Sequence, residues 1–93
     1  MLSLRWIGNR EGQLRVGIVV SKKVGKAVVR NRVRRRLREA LRLKVQGLKV
    51  QGRGLSVSAA DLVIIARPEA ALAGYSELEH NLEHALKKSG LLA

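Results

Sequence analysis

Between Lys22 and Lys44 the chain sets eleven Lys or Arg residues against one acid, Glu39, yet keeps apolar residues at every third or fourth position. Such spacing is helical. On a helical wheel Val29, Val33, Leu37, Ala40 and Leu41 share an arc of about 120°, and Asn31, Arg32, Arg34, Arg35, Arg38 and Arg42 take the opposite arc. The pattern predicts a helix from about Ala27 to Val45 that stops at Gly47. Arg36 falls within the apolar arc, where its stem can lie on the core while its charge reaches outward. The fold must therefore cover one side of this helix and leave the other uncovered. With 93 residues the chain can build one domain and one modest core.

The remaining segments predict what covers it. Leu2, Leu4 and Trp6 alternate with polar residues in a half-buried strand, the cluster GNREGQ at 8–13 turns the chain, and LRVGIVVS at 14–21 forms a second strand. Residues 2–21 thus read as a β-hairpin. Val16, Ile18 and Val20 share one face of the second strand; Arg15, Gly17, Val19 and Ser21 share the other, where Gly17 permits close approach of another group. Residues 46–60 read as a Gly- and Ser-rich loop with a short echo, KVQG at 44–47 and 49–52. DLVIIA at 61–66 reads as a strand covered on both faces, ended by Arg67-Pro68. Ser76 and Glu79 have capping-box spacing ahead of a helix that runs to about Lys88 and stops at Gly90. The order is β-β-α-β-α, an α+β two-layer sandwich of a small mixed sheet with a basic helix and a C-terminal helix. Joining the second and third strands through the basic helix allows them to pair in parallel.

Charge indicates the partner. Nineteen Lys and Arg oppose seven Asp and Glu, a net charge of +12 and a pI near 11.6. The excess is local, since residues 61–93 hold five acids and three bases. An ordinary solvated helix face mixes charge signs at i,i+4, whereas here Arg35, Arg38 and Arg42 crowd like charges together. A polyanion relieves that crowding. Successive turns of one face lie about 5.4 Å apart, a spacing that tracks a phosphate backbone, and Arg binds phosphate bidentately. Lys22, Lys23 and Lys26 precede the helix N-terminus, whose free N–H groups favour anions. Arg30 stands beside the same face, and Asn31 can cap the first turn or read a hydroxyl or base edge. Stacking platforms are scarce, with Trp6 and Tyr75 the aromatics present, so phosphate and shape contacts with folded RNA fit better than DNA readout. A structural RNA-binding protein of ribosomal type fits the same composition.

Other chemistries find little footing. The chain has no Cys, hence no disulfide framework or thiolate metal site. Val24-Gly25-Lys26 lacks P-loop spacing. His80 and His84 stand at i,i+4 without an evident third ligand, so no metal site and no catalytic side chain are assigned. The N-terminal residues do not resemble a signal peptide and no apolar run spans a bilayer, so no membrane contact and a cytoplasmic location are expected.

The run SKKVGKAVVRNRVRRRLREA at 21–40 resembles the "RNR" signature of the bacterial ribonuclease P protein component. LRVG at 14–17, DLVIIARP at 61–68 and YSELE at 75–79 resemble that family's flanking strand, later strand and last helix. The resemblance implies a protein subunit that binds a catalytic RNA through Lys22, Lys23, Lys26, Arg30, Asn31, Arg32, Arg34, Arg35, Arg38 and Arg42. It implies that the sheet holds the 5′ leader of precursor tRNA and that the RNA, with its Mg²⁺, hydrolyses the phosphodiester. It implies no cofactor bound by the protein alone, no DNA partner, and a left-handed βαβ crossover. Arg5, Arg15 and Ile18 are the expected leader-cleft residues, although Arg5 and Ile18 stand where the family often has Tyr or Phe. The family's basic N-terminal helix, one wall of that cleft, is not evident before the first strand, so weak leader discrimination is expected.

Overall fold

A computed structural model describes residues 1–52, 54 and 59–92. The expected loop at 46–60 thus lies partly outside the described residues. Strand β1 covers Leu2–Gly8, β2 Leu14–Val20 and β3 Ala60–Ala66; helix α1 covers Ala27–Val50 and α2 Tyr75–Lys88. Single 3₁₀ turns at Lys22–Val24 and Pro68–Ala71 lead into the two helices.

The strand order is β1-β3-β2. The expected hairpin does not form. β1 pairs antiparallel with β3, from Leu2 opposite Ala66 to Gly8 opposite Ala60. β2 pairs parallel with β3, from Leu14 opposite Ala60 to Val20 opposite Ala66. The five residues 9–13 therefore cross above β3, spanning two strand spacings, about 9–10 Å. Asn9 organises the crossing: its backbone N–H donates to the Ala59 carbonyl at 3.1 Å, its Nδ2 to the Gln13 carbonyl at 3.0 Å, and its Oδ1 accepts from the Glu11 N–H at 3.1 Å. Local turn chemistry indicates reversal; the apolar β3 decides what fills the space between.

Both helices lie on one face of the sheet, α1 against β2 and α2 against β1, and they touch each other. Leu37, Leu62, Ile64, Leu78, Leu82 and Leu86 form the fully buried centre. The Trp6 indole Nε1 donates to the Ser89 carbonyl at 3.0 Å, tying β1 to the end of α2. Coverage of β3 on both faces is also corrected. Ala60, Leu62, Ile64 and Ala66 are buried, but Val63 is exposed on the outer face together with Ile7 and Val19. The continuous apolar run reflects a central strand plus an open apolar surface.

Two helix ends differ from expectation. Gly47 lies inside α1, because Leu48 is buried and draws another turn onto the core. The stop falls at Gly52, whose φ of 70° suits glycine and whose N–H donates to the Lys49 carbonyl at 3.0 Å. At α2 the capping residue is Gly74 and no side chain caps the end, so the Ser76–Glu79 box is not formed. Tyr75, half-buried against the core, starts the helix two residues earlier than a Ser76 cap would.

Candidate nucleic-acid interface

The approach to α1 is fixed by Val24, which is buried, and by Gly25, whose φ of 151° would strain any other residue and whose Cβ would come within 3.2 Å of the Val29 side chain. Lys22, Lys23 and Lys26 are thereby left exposed just before the helix. Lys26 occupies the N-cap without a side-chain hydrogen bond, and the first turn holds no acid. The positive end of α1 is thus available to an anion.

Along the outer side of α1, Asn31, Arg34, Arg35, Arg38, Glu39 and Arg42 line one shallow concavity. Arg34 Nη1 donates to Asn31 Oδ1 at 3.1 Å, so Asn31 positions a guanidinium. Arg42 Nη2 and Nε meet the two Glu39 oxygens at 2.6 and 3.1 Å. This pair holds Glu39 below the usual carboxylate range, with the Arg42 hydrogen bond as the main cause. Among the described residues, Arg34, Arg35 and Arg38 meet no carboxylate. The sequence shows Glu39 within the basic run but not that it neutralises Arg42; the i,i+3 spacing is the available signal.

Arg30 and Arg32 stand apart from that concavity. Both are half-buried, and the Nε of each is enclosed without an acceptor. Arg32, expected on the outer arc, does not line the concave face. Arg36 lies at the α1–α2 side as its wheel position implies, donating from Nη1 to the Ala73 carbonyl at 3.4 Å.

The open sheet face brings two of the three leader-cleft candidates together. Arg5 stands opposite Val63, which stands opposite Gly17, and the space above Gly17 is empty. Arg15 stands opposite Asp61 and is committed to carboxylates: Nε and Nη2 reach Asp61 Oδ1 and Oδ2 at 2.8 Å each, and Nη1 reaches Glu11 at 2.9 Å. Asn9 Nδ2 adds a 2.8 Å bond to Asp61. Arg15 first, then Asn9, pulls the Asp61 carboxyl down to about 2. Ile18 is removed from this surface, since strand alternation turns it toward the helices, where it is 8% exposed.

A row of guanidiniums that meet no carboxylate among the described residues thus lies beside an open positive helix end on a two-layer α+β scaffold. Residues 1–90 match the family model described as Ribonuclease P, and the chain belongs to that family. It is 54% identical over 91 residues to the ribonuclease P protein component of Thermus scotoductus, covering 98% of this chain and 48% of that protein. The Clostridium kluyveri component is 41% identical over 83 residues, covering 89% of this chain and 69% of that one. The chain spans about half the length of its Thermus relatives. In structure it is similar to the Staphylococcus aureus RNase P protein, with a TM-score of 0.76 at 32% identity over 99% of this chain and 77% of that one. The Thermotoga maritima RNase P protein gives 0.73 at 26% identity over 94% and 76%.

Proposed function

We propose that this chain is the RNA-binding protein subunit of a ribonuclease P ribonucleoprotein and assists removal of the 5′ leader from precursor tRNA. The observation that carries this reading is the α1 face, where Arg34, Arg35 and Arg38 present guanidiniums unpaired among the described residues and Asn31 orients the first of them. Phosphates of a folded RNA would lie along this face, with Lys22, Lys23 and Lys26 reaching the same anion at the helix end. Phosphate oxygens arriving at Arg30 and Arg32 would offset the cost of their unpaired donors, on the order of 1–3 kcal/mol each.

The chain's part in the reaction is to position RNA. The carboxylate lining the cationic face, Glu39, is tied to Arg42, and among the described residues no three His, Cys, Asp or Glu side chains come together around a cation. In this reading Mg²⁺ belongs to the RNA partner. The leader would cross the open sheet face past Arg5, Val63 and Gly17, with Arg15 locked at its border by Asp61 and Glu11.

Precursor-tRNA processing by the catalytic RNA at low Mg²⁺, with and without this chain, tests the proposal: restored processing is expected, and binding without any restoration would leave a structural RNA-binding role. The salt dependence supplies a second test. Neutralising about six phosphates gives a log K against log [salt] slope of roughly −5, and a slope shallower than about −2 would show that the cationic face is not the main contact.

A further inference from the structure

α1 covers the inner face of β2 only in part. Ile18 and Val20 are buried there, whereas Leu14 and Val16 are half-buried. With Leu41 and Val45 of α1 they form the aliphatic floor of a groove of about 470 Å³. Arg38, Arg42 and Lys49 stand around that floor. Arg42 is already paired with Glu39, but among the described residues Arg38 and Lys49 meet no carboxylate.

The strand beside this groove is open. Among the described residues β3 is the one neighbour of β2, so alternate N–H and C=O groups on the far side of β2 have no strand partner. The usual guards of a sheet edge are missing from it: LRVGIVV holds no Pro and no Lys, and its one charge, Arg15, is held by Asp61 and Glu11. A strand added at this edge would send every second side chain inward, toward the groove. Two apolar side chains at i and i+2 would cover Leu14 and Val16. Arg38 and Lys49 lie eleven positions apart on α1, about 16 Å along its axis. Inward acids on either side of the apolar pair, six positions apart, lie about 20 Å apart, within side-chain reach of both cations.

We propose that this groove docks an extended acidic segment of a partner protein, which adds a strand to β2, seats two aliphatic side chains on the floor and pairs its acids with Arg38 and Lys49. The docking does not depend on the proposed function. Charge decides against a second copy of this chain, because joining two β2 edges would bring two sets of Arg38, Arg42 and Lys49 together. Chemistry decides against RNA. Among the described residues no aromatic side chain lines the groove for a base to stack on, and a phosphodiester carries no donor for the carbonyls of a strand edge.

The test uses a labelled nonapeptide, Glu throughout except for Ile at its fourth and sixth positions, so that the second, fourth, sixth and eighth residues share one face of a strand. It should bind the full chain at least about fivefold tighter than nona-glutamate, the share of the apolar floor. It should also exceed by about as much a peptide of the same composition with Ile at the fourth and seventh positions, a helical spacing. Equal binding of the three would reduce the groove to diffuse charge and overturn the proposal. Val45→Thr/Lys49→Gln should weaken the peptide at least about fivefold, and the matched pair Leu43→Thr/Lys87→Gln, away from the groove, less than about twofold, with circular dichroism confirming both folds. Equal losses from the two pairs would overturn the docking. So would an oligouridylate that loses as much affinity as the peptide in the groove variant, which would assign the groove to RNA. The amide spectrum of the unaltered chain needs no substitution: the peptide should shift Val16, Gly17, Val45 and Lys49, and shifts confined to residues 26–42 would overturn the proposal.

Discussion

The two helices rest on the same core but treat charge in opposite ways. On α2, Glu77 sits in the first turn and Lys87 and Lys88 in the last, so its charges complement the helix dipole. Glu83 meets Lys87 at 3.8 Å and reaches across to Lys44 of α1 at 3.3 Å. On α1 the first turn has no acid, and among the described residues relief on the outer face is confined to the Arg42–Glu39 pair. α2 thus meets part of its charge within the chain. α1 is held by Val33, Leu37 and Leu41 against its own repulsion, and that repulsion is what the proposed RNA partner would remove.

Substitutions can break or sharpen this contrast. The largest effect is expected for Arg38→Ala, which should weaken catalytic-RNA binding roughly ten- to a hundredfold, the range for a charge-assisted hydrogen bond. Lys87→Ala on α2 should change it less than about threefold, as for a screened surface charge. Titration at fixed salt and Mg²⁺ decides, and equal losses would reduce α1 to diffuse charge. Next comes Gly47→Ala. Gly47 is interior to α1, and among the described residues nothing beyond the helix's own adjacent backbone lies within 4 Å of the place a methyl group would take, so alanine should raise unfolding free energy by about 0.5–1 kcal/mol in urea denaturation without altering RNA affinity. No gain would mean that the last turns of α1 are not helical in solution.

The link between the helices is weaker and depends on pH. Lys44, by its hydrogen bond first, holds the Glu83 carboxyl below its ordinary value in the folded chain. The stability this adds is complete above the ordinary carboxylate range and is lost as pH falls through the depressed folded value. Glu83→Gln should therefore cost a little at neutral pH and nothing at strongly acidic pH, so the two stability curves converge on acidification. Parallel curves would show that the pair is not coupled to folding. The smallest effect is expected for Ser76→Ala. A working capping box would lose about 0.5–2 kcal/mol, but Gly74 caps α2 and Ser76 bonds nothing there, so thermal melts should stay within a few tenths of a kcal/mol.

What is legible in the sequence follows from which interactions are local. The alternation around Leu4 and Trp6, the 3.6-residue period of α1 and the RNR run are local, and the elements and the cationic face follow from them. The insertion of β3 between β1 and β2 is not local, because the turn at 8–13 looks the same whether its strands touch or straddle a third. Gly47 misleads because a glycine stops a helix only when no later residue, such as Leu48, gains burial by continuing. Ile18 is misplaced when family position is followed over strand alternation. The groove between β2 and α1 has no sequence signal at all, since Leu14 and Val16 carry the same alternation as the buried Ile18 and Val20.

The strand order also sets a timetable for synthesis. β1 and β2 are made before β3, yet neither has its neighbour to pair with until β3 begins, 40 residues beyond Val20. At about 5–20 residues per second, translation takes roughly 2–8 s to cover that distance. Residues 30–42 are made within that interval, so the basic segment exists before there is a sheet for it to rest on, and RNA within reach of it would meet it before the domain can close. A partner that stabilises α1 at that stage would supply the template on which β2 and β3 later meet, and assembly of the complex and folding of the protein would become one event.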